Sequence, residues 1–259
     1  MVETEKNMKI FVFKMRHIIT AAVFIAIVLG IFSFTRTASV FNSNERKIPI
    51  YNVERNDNKI SLTFDCAWND NDIDEILSAL EECDIKASFF MTGKWAQDYP
   101  ESVKKIYEKG HDIGNHSYNH ADYTKMSKSD IIKDLDKCDA AIKEITGQAP
   151  VLMRAPSGGY NNTVMTAAED SGRTYIQWSV DGLDYTTDAT EQSIKKRISK
   201  TQNGDIILMH NGTKLTAKVL PSIIQDLSER FEFVKVSELI YPDNYTVDHS
   251  GKQIQKLHN

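Results

Sequence analysis

At 259 residues, with 41% hydrophobic and 26% charged residues, the chain is long enough to bury one full-sized core, and one main globular domain is the default. A net charge of -5 with acids and bases interspersed excludes a nucleic-acid groove and a polybasic membrane patch in the main body. Three cysteines, Cys66, Cys83 and Cys138, exclude an even disulfide framework; Cys83 and Cys138 continue apolar helical stripes and are assigned to core packing.

Residues 1–17 carry Lys6, Lys9, Lys14 and Arg16 and precede an uncharged apolar run over 18–34. That run is about the minimum length for crossing a bilayer, and the basic leader keeps the N-terminus cytoplasmic and exports the chain beyond the run. Thr37-Ala38-Ser39 approximates a cleavage site only weakly, so a single-pass transmembrane signal anchor is favoured over a cleaved signal and secretion. Residues 35–57 read as a stalk, placing the domain outside the cell.

From Lys59 the pattern changes. KISLTF predicts a strand over 59–64, followed by a polar loop and a helix with Ile73, Ile76, Leu77 and Leu80 on one side. Further strands are expected at 87–91 and 112–115, with a helix around 100–109 between them. Ser127-x-x-Asp130 starts a helix whose stripe of Ile131, Leu135, Cys138, Ile142 and Ile145 ends at Gly147. Strands near 151–153, 174–178, 205–209 and 231–236 then alternate with helices, including one around 217–230 with Pro221 near its first turn. The domain spans 58–240, and residues 241–259 are expected to form a loose tail. Strand and helix alternation argues for parallel strands joined by crossover helices.

In such α/β barrels the C-terminal ends of the strands carry the chemistry. Asp65, His116, His120, Arg154, Asp181 and His210 stand there, contributed by five strands. The pair His116 and His120, at i and i+4, is by itself either a metal clip or two surface rings one turn apart. His111 is read as a packed, hydrogen-bonded core histidine. Trp178 and Tyr185 flank Asp181 and offer either a wall for a sugar ring or ordinary burial.

These residues resemble the polysaccharide deacetylase family, the NodB-homology domain of carbohydrate esterase family 4. Thr63-Phe64-Asp65 matches the start of T-F-D-D-G-P, His116 to His120 matches H-[ST]-x-x-H, and Arg154-Ala155-Pro156-Ser157-Gly158 matches R-x-P-x-G. Asp181-Gly182-Leu183-Asp184-Tyr185 is similar to D-x-x-D-[WY], and Ile207-Leu208-Met209-His210 to the motif that closes the site. The resemblance covers about residues 58–240. It implies a distorted (β/α) barrel of about seven strands, one divalent metal ion (zinc first, with cobalt, nickel or manganese as alternatives), and hydrolysis of N-acetyl groups on amino-sugar polymers.

The resemblance also implies roles. His116 and His120 would ligate the metal, Asp65 would be the general base, and His210 the general acid. Asp181 would raise the pKa of His210 and fix its ring, while Arg154 would hold Asp65 through a forked pair of hydrogen bonds. One departure concerns the metal: Cys66 replaces the family's second aspartate, and Ala67-Trp68 replaces Gly-Pro. Asp72 is the favoured replacement ligand, ahead of Cys66, Asp70 or no third protein ligand. The expected partner is cell-wall peptidoglycan or a chitin-like glycan, with membrane contact through the N-terminal helix and none with nucleic acid. A non-catalytic glycan binder of the same fold and an O-acetyl esterase acting on xylan are the competing readings.

Overall fold

The computed structural model describes residue 20, residues 23–27 and residues 46–256. Thr20 and residues 23–27 are helical. The remainder of the anchor expected over 18–34, the leader 1–17 and most of the stalk lie outside the described residues. Among the described residues no helix is long and apolar enough to cross a membrane. Residues from Lys47 onward form one compact unit.

The first elements are β1 (Asn52–Val53), β2 (Lys59–Cys66), α1 (Ile73–Glu82), β3 (Ser88–Met91), α2 (Gly93–Asp98), α3 (Pro100–Glu108) and β4 (Asp112–Asn115). After them come α4 (Lys128–Thr146), β5 (Leu152–Met153), α5 (Asn162–Asp170), β6 (Thr174–Tyr175), β7 (Val180–Asp181), α6 (Glu191–Ile198) and β8 (Ile206–His210). The chain closes with α7 (Thr216–Ser228), β9 (Glu232–Phe233), α8 (Val236–Leu239), β10 (Tyr245–Val247) and β11 (Lys252–Gln255). Seven strands lie in the order β6-β5-β4-β3-β2-β8-β7, every pair parallel, and β9 adds to the start of β2. The edges β6 and β7 are consecutive in sequence, so one bent segment joins the two sides into the expected distorted barrel.

Strand β2 shows how the sequence positions the site. Its residues alternate: Ile60, Leu62, Phe64 and Cys66 join the apolar cluster shared with the flanking helices. Ser61, Thr63 and Asp65 therefore point to the opposite face, as the two-residue period of a strand requires. The caps of α4 follow the sequence reading. Ser127 accepts the Asp130 backbone N–H, and Gly147 ends the helix in the left-handed region at φ 77°. Helix α2, capped by Thr92, has no counterpart in the sequence reading, because six residues are too short to show a helical period.

Three expectations are corrected. The supposed stalk is partly folded: Ile50 and Val53 are buried, and β1 pairs with β11. The supposed loose tail is a hairpin, β10 antiparallel to β11, so these flanking segments zip together into a three-stranded sheet. Gly251 makes this possible, because at φ +86° a Cβ there would lie 2.3 Å from the Tyr51 ring. Third, Cys83 is exposed just past α1, whereas Cys138 is buried as expected.

His111 is buried, as expected. Its Nδ1 accepts the Ala87 backbone N–H at 3.1 Å and its ring meets Phe89 edge-on. Burial, with Lys86 and Lys109 nearby, lowers its pKa to about 4. The unfolded chain then binds a proton that the folded chain refuses between pH 6.5 and 4, so stability is lost as pH falls through that window. Denaturant titrations at pH 7 and pH 4 should differ by about 3 kcal/mol from this residue. His111→Gln, which keeps an acceptor but does not titrate, should remove that share of the difference.

Candidate active site

Asp65, His116, His120 and His210 line one pocket of about 230 Å³ at the C-terminal ends of the strands, walled by Trp68, Trp178 and Tyr185. Arg154 lies beneath it, fully buried over the Phe90 ring at 4.1 Å. One guanidinium nitrogen, Nη1, donates to Asp65 Oδ1 at 2.7 Å and to Thr63 Oγ1 at 2.9 Å, while Nη2 donates to the Gln177 carbonyl at 3.1 Å. The expected fork onto Asp65 is therefore a single-point contact, because the second arm of the guanidinium is used by the backbone. Burial pushes the Asp65 carboxyl up, but Arg154, then His116 and His210, outweigh it and hold the group below the usual aspartate range. Asp65 thus stays ionised with Oδ2 directed at His116.

His116 Nδ1 donates to the Arg154 carbonyl at 2.9 Å, which leaves Nε2, 3.5 Å from Asp65 Oδ2, as the nitrogen that faces the pocket. Burial lowers the His116 pKa to about 4 and also lowers that of His120, so both rings are neutral at pH 7. The rings meet edge to face, with centroids 5.1 Å apart. They are carried by a loop rather than a helical turn, with Ser117 and His120 at positive φ. Two residues outside the motif hold that loop: Asn115 Oδ1 accepts the Ser117 N–H, and Asp134 Oδ1 accepts the Tyr118 N–H and the Tyr123 hydroxyl. Asp134 was missed because its place on the polar side of α4 looks like that of any solvated acid.

The partner of His210 is Asp184, which corrects the assignment to Asp181. His210 Nδ1 lies 2.9 Å from Asp184 Oδ1, and the His210 backbone N–H donates to Asp184 Oδ2 at 2.7 Å. Thr216 Oγ1 also bonds that oxygen. Asp181 instead turns back on its own loop, accepting the Leu183 N–H at 2.8 Å. D-x-x-D offers two acids, and the positive φ of Leu183 swings the second one under the ring. Burial lowers the His210 pKa, but the Asp184 hydrogen bond and the charges of Asp65, Asp184 and Asp181 outweigh it, leaving the pKa raised. Trp68 stacks on the ring at 5.5 Å, and Tyr185 meets its edge at 4.7 Å.

The donor set fits a divalent ion through two imidazoles, His116 and His120. The expected third ligand, Asp72, is elsewhere: its Oδ1 accepts the Gly212 N–H at 2.7 Å, and it does not line the pocket. Asp72 makes no side-chain cap of α1 either, so its other oxygen is buried without a partner. Asp70 Oδ2 is taken by the Ser102 hydroxyl. Cys66 lies in the apolar core, on the face of β2 opposite Asp65, and burial pushes its thiol pKa well up. Among the described residues no group of three or more His, Cys, Asp or Glu is arranged to hold a metal. Zinc titration of the metal-free protein should accordingly find Cys66→Ala and Asp72→Ala with wild-type affinity. His116→Ala should lose at least the ~10–100-fold that removing an outer partner of a ligand costs.

The pocket thus brings together a buried ionised aspartate on Arg154, a histidine whose pKa is raised by its own carboxylate, and a neutral histidine pair. The family model for polysaccharide deacetylase matches residues 52–176. The chain is 32% identical to the uncharacterised protein YlxY of Bacillus subtilis over 74% of this chain and 60% of YlxY. It is 34% identical to the peptidoglycan-N-acetylglucosamine deacetylase PgdA of Listeria monocytogenes over 74% of this chain and 41% of PgdA. It thus spans about two-fifths to three-fifths of these relatives. A solved carbohydrate esterase family 4 pseudoenzyme from Bacillus anthracis is 30% identical with TM-score 0.70, covering 74% of this chain and 68% of that one. A mutant of that pseudoenzyme has restored enzymatic activity. The chain belongs to the polysaccharide deacetylase family, carbohydrate esterase family 4.

Proposed function

We propose that this protein is a metal-dependent hydrolase that removes N-acetyl groups from an amino-sugar polymer, with cell-wall peptidoglycan as the substrate and the domain held outside the membrane. The observation that carries this reading is that base and acid each have a dedicated partner and line one pocket: Asp65 on Arg154, His210 on Asp184. A chain that only held glycan would have no use for both pairs.

The sugar ring rests among Trp68, Trp178 and Tyr185, whose flat faces suit its C–H surface. Asp65, kept ionised by Arg154, takes a proton from the attacking water as its oxygen bonds to the acetyl carbonyl carbon. His210, protonated, gives its proton to the amide nitrogen as the C–N bond breaks, releasing acetate and leaving the free amine on the sugar. A zinc-type ion on His116 and His120 would supply carbonyl polarisation and water activation. Because His210 must carry a proton, the rate should fall as pH rises through its elevated pKa.

Acetate release from peptidoglycan and from chitin oligomers, with zinc or cobalt added, tests the reading; an inert protein on both would overturn it. Comparing N-acetyl with O-acetyl substrates separates the deacetylase from a xylan-type esterase. The burial of Cys66 in the core favours a second reading, a glycan binder without catalysis, as does the pseudoenzyme relative. Retention of glycan by metal-loaded protein without acetate release would support it.

A further inference from the structure

Three residues outside the five matched motifs, Arg173, Asp139 and Asn115, form a chain of hydrogen bonds that ends on the histidine loop. Asn115, the last residue of β4, is fully buried, and its Nδ2 donates to the Leu135 carbonyl at 2.9 Å and to Asp139 Oδ1 at 2.6 Å. Its Oδ1 is thereby left to accept the Ser117 N–H at 2.9 Å. Asp139 Oδ2 accepts Arg173 Nε at 2.9 Å and Nη2 at 2.6 Å. Arg173 stands between α5 and β6; its Nη2 also donates to Asp136 Oδ1 at 2.7 Å and its Nη1 to the Ser171 carbonyl at 3.3 Å. The side chains of Arg173 and Asp139 are only 8% and 10% exposed, so water screens this pair far less than the half-exposed ion pair of Lys128 with Asp170 between α4 and α5.

We infer that Asp139 and Arg173 are positioning residues for the metal site, fixing through Asn115 the turn at Ser117 that presents His116 to the pocket. The inference rests on the reading of His116 and His120 as metal ligands. Ser117 adopts φ 66°, a left-handed conformation that a residue with a Cβ disfavours and that persists only where its surroundings hold it. A carboxamide has two orientations of nearly the same shape, and only one of them offers an acceptor to the Ser117 N–H. The Leu135 carbonyl and Asp139 select that one. The reversed amide would set oxygen against oxygen at α4 and N–H against N–H at Ser117. Arg173 binds Asp139 through one oxygen and leaves the other aimed at Asn115. Burial pushes the Asp139 carboxyl up, while the bonds from Asn115 and Arg173 oppose it and favour the ionised, acceptor-only form. Asn115 reaches His116 by a second route as well: its backbone carbonyl accepts the Arg154 N–H at 2.9 Å, and the Arg154 carbonyl holds His116 Nδ1. Displacing Asn115 therefore moves both the chain next to His116 and the partner of its ring.

The test is calorimetric zinc binding, with amide hydrogen exchange of the metal-free protein beside it, both on the full chain. In Asp139→Asn the volume is kept but one oxygen must serve two donors; the charged Arg173 takes it, and the new NH2 faces Asn115. Arg173→Met keeps the apolar stem and removes the guanidinium. Each should weaken zinc binding about tenfold, the lower end of the range for outer partners of metal ligands, and speed exchange of the Ser117 amide relative to the amides of β2. Lys128→Met, which breaks the exposed ion pair between α4 and α5 instead, should match wild type in both measurements. A role confined to holding α4 on the fold would speed Ser117 and β2 exchange together and leave the zinc affinity of the folded protein unchanged. That result, or an equal loss of affinity in Lys128→Met, would overturn the inference and leave the metal reading standing. If the wild type itself binds no zinc, the Ser117 amide decides. Selective acceleration in Asp139→Asn and Arg173→Met would then remove the metal reading alone, and its absence would remove this inference too.

Discussion

Asp65→Asn is expected to lower acetate release by about 10²- to 10⁴-fold, the range for removing a positioned general base. The variant keeps the volume and one acceptor oxygen for Arg154 Nη1, so the pocket should stay intact while proton acceptance is lost. It should also destabilise the fold. Arg154 is fully buried and pairs with Asp65 at 2.7 Å, and removing one partner of such a pair costs about 3–5 kcal/mol because the other charge remains buried. The remaining bonds of the guanidinium, to Thr63 and the Gln177 carbonyl, put the expected loss at the lower end of that range. Acetate assays and denaturant titrations of the same preparations separate the two effects. Rate retention within threefold would show that another group takes the proton, and the assignment of Asp65 would fail.

Asp184→Asn should lower the rate by about 10²-fold or more, and it should change the pH profile in a direction that Asp181→Asn does not. His210 owes its raised pKa first to the Asp184 hydrogen bond, which opposes the lowering by burial. Without that carboxylate the ring loses its proton at lower pH, so the alkaline fall in rate should move to lower pH. Asp181 contributes only its charge from a distance while its oxygen accepts the Leu183 N–H. Its replacement by asparagine should cost about threefold or less, consistent with a screened interaction. Imidazole titration by NMR in both variants checks the assignment independently of turnover. A larger shift in Asp181→Asn than in Asp184→Asn would reverse it.

The two variants also bear on linkage between His210 and stability. Its folded-state pKa is raised, so its contribution is fully present below the ordinary histidine range and disappears as pH rises through the folded value. His111 acts in the opposite sense, losing stability as pH falls toward 4. Of these two groups, His111 costs the fold stability on the acid side and His210 stops contributing on the alkaline side.

The alternation of apolar strands and amphipathic helices, the caps of the long helix at Ser127 and Gly147, and the residues gathered at the strand ends were all legible in the chain, since each depends on local spacing. So were Asp65, His116, His120, Arg154 and His210, because the parallel arrangement sends every strand end to one mouth. What sequence alone left open was pairing between groups far apart in the chain. Which of Asp181 and Asp184 touches His210 depends on one left-handed residue in a tight turn. Whether Cys66 or Asp72 reaches the histidines depends on strand alternation, which turns Cys66 into the core, and on a loop that brings Gly212 to Asp72. The folding of the flanks was hidden for the same reason: Asn52 and Lys252 are two hundred positions apart, and no local pattern in either segment announces the other. Side-chain period is a property of the chain, whereas the partner of a charge or of a strand edge is a property of the packed molecule.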